Sequence, residues 1–286
     1  MNSLKTTILL ASMAALFMVV GNVMGGRQGM TTALLMAVVM NVGAYWFSDR
    51  MVLAMHGAQA VGPDDAPELY EIVEELARRA NLPMPAVYII EDDTPNAFAT
   101  GRNPEHAAVA ATTGILHILT REELAGVMAH ELGHVQNRDI LISTLAATLG
   151  AAITWLGHMA SFFGSSRADN REGGGGHGAI GGILMLVLAP LAATLIQMAI
   201  SRSREYGADA VGAQLSGNPL WLARALEKLE QGNRALPLAS AEQHPATAQL
   251  FIVNPLSGGL LAGLFSTHPP IAERVRRLRS LTGGRR

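Results

Sequence analysis

His130-Glu131-Leu132-Gly133-His134 is the stretch on which the reading of this chain turns. It lies in a segment with the marks of one helix. Thr120 and Glu123 form a capping box, and Leu124, Val127, Met128, Leu132 and Val135 follow at helical spacing. Residues four apart share a helix face, so the imidazoles of His130 and His134 can reach a single ion. Glu131 follows the first imidazole directly, where a carboxylate can contact water at the ion without binding the ion itself. So short a pattern also arises by chance on a polar helix face, and a second fragment has to complete it.

A hydrolytic zinc takes three protein ligands and keeps one position for water. The run Ser201-Arg202-Ser203-Arg204-Glu205-Tyr206-Gly207-Ala208-Asp209 offers Glu205 as the third ligand. Asp209, one turn further along the same face, can accept the free N–H of a ligating histidine and fix its tautomer. Alone, this run is an ordinary charged helix end. With 130–134 it completes one coordination sphere, and the implied cofactor is one zinc ion per chain.

The 286 residues are 49% hydrophobic and only 15% charged. Soluble domains carry roughly 25% charge, so this is the composition of a membrane protein, and the mean hydropathy of +0.25 agrees. A formal net charge of -2 provides no basic field for nucleic acid, which is excluded as a partner. Cysteine is absent, so neither disulfides nor zinc thiolates are available.

Four apolar runs punctuate the chain. Residues 6–24 and 30–47 read as a helical hairpin around 25–29, ending in Trp46, Asp49 and Arg50 at a membrane interface; a cleavable signal peptide is the competing reading of the first run. Runs 140–163 and 179–200 enclose a loop with Arg167, Asp169, Arg171 and the glycines of 173–176. If the helices continue through the junctions, His134 and Glu205 each lie roughly 7.5 Å beyond an apolar run, and an antiparallel pairing brings them to one height. The zinc then sits where two spanning helices leave the bilayer; a buried, non-spanning helix pair is the alternative. Lys5, Arg50, Arg138, Arg202 and Arg204 lie on the zinc side against Arg27, Arg167 and Arg171 on the other, which points to a cytoplasmic zinc domain.

Between the runs the character is that of a soluble domain. Leu69, Ile72, Val73, Leu76 and Ala77 form the apolar stripe of an amphipathic helix, and 86–90 reads as a buried strand. Segments 96–101 and 107–113 suggest a hairpin, to whose edge an extended peptide could add a strand; Asn96, Ala97 and Phe98 are candidate substrate contacts, or simply structural. Asn218-Pro219 starts a helix with Leu222, Ala225, Leu226 and Leu229 inward, and 234–246 reads as loop. Residues 250–265 are apolar but broken by Pro255 and glycines, as in a cleft lining or flap. A last amphipathic helix carries Ile271, Val275 and Leu278, with Arg274, Arg276, Arg277 and Arg279 reading as a solvated face or a contact for anionic lipid.

HELGH and SRSREYGAD between hydrophobic segments resemble the HtpX group of membrane zinc metallopeptidases, relatives of the CAAX prenyl proteases within the gluzincins. The resemblance extends over nearly the whole chain, including 95–101 and Thr267-His268-Pro269-Pro270. It implies His130, His134 and Glu205 as zinc ligands and Glu131 as the base that activates the zinc water for peptide-bond hydrolysis. In the prenyl protease relatives a histidine in a similar His-Pro context lies near the zinc, so His268 is a candidate for oxyanion or second-layer hydrogen bonding.

The implied fold is mainly α: four transmembrane helices plus a zincin-like α+β catalytic domain with a small β-sheet. The implied division is an N-terminal transmembrane hairpin over 1–50, a first catalytic part over 51–138, a second hairpin over 139–200, and a second catalytic part over 201–286. The implied role is quality control of membrane or misfolded proteins in the bacterial inner membrane. A narrow-specificity processing protease and a non-catalytic zinc scaffold are the alternatives.

Overall fold

The apolar N-terminus folds back on itself. A computed structural model describes residues 2–151, 202–236, 238–256 and 269–282. In it the helical element α1 (Asn2–Met55) breaks at Gly25 and Gly26, and Gly26 takes φ 58 and ψ -145, a conformation open essentially to glycine alone. The two arms run antiparallel. Asn41 Nδ2 donates to Leu10 O across 3.1 Å, and nearer the bend Gly21 meets Gly29 so closely that a Cβ on Gly21 would lie 2.5 Å from Gly29 O. Close backbone approach through small residues is how helices pack in lipid, where apolar surface alone gives no drive to associate. The arm Gly25–Met55 is long and apolar enough to cross a bilayer, and Leu35, Val39, Val42 and Phe47 point outward from it.

Next come β1 (Gln59–Ala60), α2 (Pro67–Arg79), β2 (Ala86–Ile90), β3 (Ala97–Gly101) and β4 (Ala107–Thr112). The sheet order is β1-β2-β4-β3, with β2 and β4 parallel and the other pairs antiparallel, so the hairpin of β3 and β4 forms one side and β3 its edge. Every residue of β3 and β4 is buried, because both faces are covered. Ala97, Ala99, Val109 and Ala111 face one core with α2, whose stripe from Leu69 to Ala77 is buried as its periodicity requires. Phe98, Ala108 and Ala110 face another core with Val52 and Leu53 at the end of α1. Alanine-rich strands weaken a sheet intrinsically but let layers on both sides approach closely.

After α3 (Thr113–Ile118), α4 (Arg121–Gln136) starts on the capping box of Thr120 and Glu123. It does not run on into the apolar segment, as continuity of the pattern suggests. Arg138 adopts φ 57, a left-handed conformation that cannot continue a right-handed helix, and Asp139 N donates back to His134 O at 2.9 Å. The chain restarts as α5 (Ile140–Ala151), which packs Ile142, Leu145 and Leu149 against Leu9, Met13 and Ala44 of both α1 arms. Thr144 of α5 bonds Thr100 Oγ1 at 3.0 Å and accepts from Gly101 N at 3.4 Å, so the edge strand is fastened to this apolar helix. The rest of run 140–163, run 179–200, the 173–176 glycines and His268 lie outside the described residues.

Then follow α6 (Arg202–Ser216), α7 (Pro219–Ala235), α8 (Ala239–Gln243) and α9 (Ile271–Thr282). The expected loop over 234–246 is in fact the end of α7 and the short α8. Asn218 caps α7 by accepting from Leu220 N at 3.0 Å, and Leu222, Ala225, Leu226 and Leu229 are buried as expected. Helix α6 lies directly on α4: a Cβ on Gly212 would be 2.9 Å from His130 N, so glycine there sets the distance between the two helices.

Candidate metal centre

Helix α4 presents His130 and His134 four residues apart, and the close crossing of α6 brings Glu205 to them. Among the described residues, these three offer ligand atoms that lie within 4.8 Å of one another. The two Nε2 atoms are 3.2 Å apart, His134 Nε2 is 3.5 Å from Glu205 Oε1, and His130 Nε2 is 3.8 Å from Glu205 Oε2. All four of the strongest expectations from sequence, Glu131 included, therefore line one small cleft together with Ala99, Asp139 and Phe251.

Glu131 is fully buried on the same helix. Ala99 of the edge strand donates its backbone N–H to the Glu131 carboxylate, while Oε1 has no hydrogen-bond partner among the described residues. Burial pushes the Glu131 carboxyl up to about 8, so this side chain holds a proton far more strongly than an ordinary glutamate. Such a carboxylate suits a general base.

Asp209 takes the place the sequence suggested, with Oδ1 at 3.0 Å from His130 Nδ1. Its own partner is one that sequence reasoning missed. Arg274, expected on a solvated face, is wholly buried. Its Nε and Nη2 donate to the two Asp209 oxygens at 3.0 and 2.7 Å, and its Nη1 donates to Ile252 O at 3.0 Å. The other arginines of α9, Arg276, Arg277 and Arg279, do lie at the surface, paired with Glu273 or Glu227. No pattern within α9 distinguishes Arg274, because its partner is 65 residues away.

Asn96, Ala97 and Phe98 do not line the cleft. All three are buried. Asn96 Nδ2 bridges Asn233 Oδ1 and Val253 O at 3.1 and 2.8 Å, Ala97 O accepts from Ile252 N at 3.0 Å, and Phe98 stacks edge-on with Phe251. The strand position that does border the cleft is Ala99.

The donor set fits a divalent metal. Two imidazoles and one carboxylate suit zinc. Charge agrees with this. Glu205 and Asp209 are buried carboxylates faced by Arg274, and Asp139 is faced by Arg204, so with Glu131 holding its proton one negative charge remains for a cation to balance. Burial pulls the His134 imidazole down, but Glu205 and the neighbouring Asp139 outweigh it and lift it to about 9. The field at this spot thus draws positive charge.

A family model for peptidase family M48 matches residues 63–282, which takes in the sheet, α4, α6 and α9. The chain belongs to peptidase family M48. Protease HtpX homolog of Methylibium petroleiphilum is 57% identical to this M48 chain, over 98% of each. Protease HtpX homolog of Ralstonia nicotianae is 59% identical, over 97% of this chain and 96% of its own. The crystal structure of S. mikatae Ste24p shares the fold with a TM-score of 0.52 at 18% identity; it matches 97% of this chain, which spans 64% of that longer protein. The M48 chain is therefore a membrane metalloprotease, a hydrolase, of Ste24-like fold.

Proposed function

We propose that this chain is a zinc endopeptidase that hydrolyses peptide bonds of membrane or misfolded proteins at the membrane surface, in protein quality control. The observation that carries it is the meeting of His130, His134 and Glu205 beside a buried Glu131 whose Oε1 has no hydrogen-bond partner among the described residues. The name carried by relatives 57% identical over nearly their whole length supports proteolysis, and speaks against a scaffold. His130, His134 and Glu205 would hold the metal. When bound, zinc lowers the pKa of water and polarises a carbonyl oxygen.

The chain's own residues do the rest. Glu131 takes the proton of the attacking water and returns it to the leaving amine, and its elevated proton affinity matches both tasks. Ala99 N–H holds the Glu131 carboxylate in place, and Asp209 fixes the His130 tautomer. An extended substrate meets the edge strand at Ala99, and His268 remains a candidate for the oxyanion. Four spans with both termini and the zinc domain in the cytoplasm are the topology we assign. It is supported by the hairpin of α1, by the apolar start of α5, and by the 3.9 Å approach of Asp139 to Arg204, residues that in sequence come just before run 140–163 and just after run 179–200.

Glu131→Gln tests the reading. The variant should keep one zinc per chain yet cleave an unfolded membrane protein at least a hundredfold more slowly. Undiminished cleavage, or a native preparation active without metal, ends it.

A further inference from the structure

Each imidazole of the metal group has a carboxylate behind it, and each carboxylate has an arginine. Behind His130 stand Asp209 and Arg274. Behind His134, Asp139 Oδ2 lies 3.6 Å from Nδ1, and Arg204 Nε lies 3.9 Å from Asp139 Oδ1. These are ion-pair separations, longer than hydrogen bonds. We propose that Asp139 is the positioning residue of His134, steadied by Arg204, and does for the second imidazole what Asp209 does for the first. This rests on His134 being a metal ligand.

The backbone is built to put Asp139 there. Arg138 takes the left-handed φ of 57 at a cost of about 1 kcal/mol, and the turn it makes closes on the His134 carbonyl through Asp139 N. Had α4 continued, Asp139 would sit five positions along the helix, turned away from His134. The turn instead returns the carboxylate to the edge of the cleft, where it is buried. With a carboxylate at Nδ1, that nitrogen carries the ring proton and Nε2 presents its lone pair toward Glu205 and His130. Arg204 immediately precedes Glu205, so the pair also aligns the first turn of α6 with the ligand it delivers.

The ordinary alternative is that Asp139 only caps α5, since aspartate is a favoured residue at a helix start. Serine caps nearly as well but carries no charge and reaches less far. Asp139→Ser in the full-length protein therefore separates the two. Zinc affinity is read by competition with a chromogenic chelator, His134 tautomer by ring nitrogen shifts, and stability by thermal unfolding of metal-free protein. Positioning predicts a zinc Kd raised ten- to a hundredfold with the metal-free midpoint nearly unchanged, and a smaller rise for Arg204→Gln. An unchanged Kd and tautomer overturns the proposal, whether or not the midpoint falls. Should Asp139→Ser not fold, Asp139→Ala serves, since it leaves no acceptor for Nδ1–H, and native zinc affinity in that variant overturns the proposal equally. His134→Ala is the control: if it binds zinc as tightly as the native protein, the metal reading fails and not merely the role of Asp139.

Discussion

Arg274 is the residue on which the metal centre leans most heavily without belonging to it. Its guanidinium joins Asp209 to the carbonyl of Ile252, and so links the support of His130 to the segment that pairs with β3. Arg274→Leu leaves Asp209 buried with His130 but without its counter-charge, and breaking a buried ion pair in this way costs about 3–5 kcal/mol. We expect that loss in denaturant unfolding, and we expect Arg274→Lys not to restore it, since an ammonium cannot make the paired bonds to both oxygens and also reach Ile252 O. At this scale the sequence was legible wherever chemistry is local. His130, Glu131 and His134 declare themselves by spacing, and Glu205 by its position after an apolar run. Arg274 and Asp139 do not, because one is paired across the fold and the other depends on a backbone conformation that arginine rarely adopts.

At the scale of elements, the distance between α4 and α6 decides whether the ligands meet. Gly212 is the contact: a side chain there would strike the backbone of His130 rather than a flexible side-chain end. Gly212→Ala should destabilise by about 1–3 kcal/mol and weaken zinc binding, since Glu205 rides on the same helix. Thermal unfolding and a zinc titration of the variant check this, and native values for both would show that the helices have room to spare. Apolar periodicity foretold α2 and α7 because one face of each is buried, whereas α4 is buried nearly all round and its capping box marked its start. Periodicity misjudged the junction after α4, where the pattern continues smoothly while a single left-handed residue turns the chain. It also left Asn96, Ala97 and Phe98 open between substrate contact and structure, and all three are buried, with residues 251–253 against them.

Across the whole molecule, the junction of α1 with the catalytic domain carries a titrating group that sequence alone left unassigned. His56 is buried, with Nδ1 2.8 Å from Ser240 Oγ and Nε2 2.9 Å from Thr247 Oγ1, and Phe251 packed against the ring. Burial, aided by His244, holds its pKa down to about 4. The unfolded chain then binds this proton near pH 6.5 and the folded chain only near 4, so stability from neutral His56 is full above pH 6.5 and drains away as pH falls to about 4. The loss amounts to at most about 3 kcal/mol. Unfolding of the native protein and His56→Gln across that range should show a smaller drop in the latter, the remainder coming from buried His130, whose pKa burial also lowers to about 4.

Thr144 gives the fastening of the edge strand a wider meaning. The wall of the cleft along β3 hangs by Thr100 and Gly101 from an apolar helix that packs on both arms of α1, so anything that tilts those helices shifts the wall relative to the imidazoles. Host lipid thickness is such an influence, because a helix meets mismatch by leaning. Turnover in nanodiscs should accordingly change with acyl-chain length in the native enzyme and much less in Thr144→Val. The bilayer would then act as a mechanical input to hydrolysis, and equal sensitivity of the two proteins would rule that out.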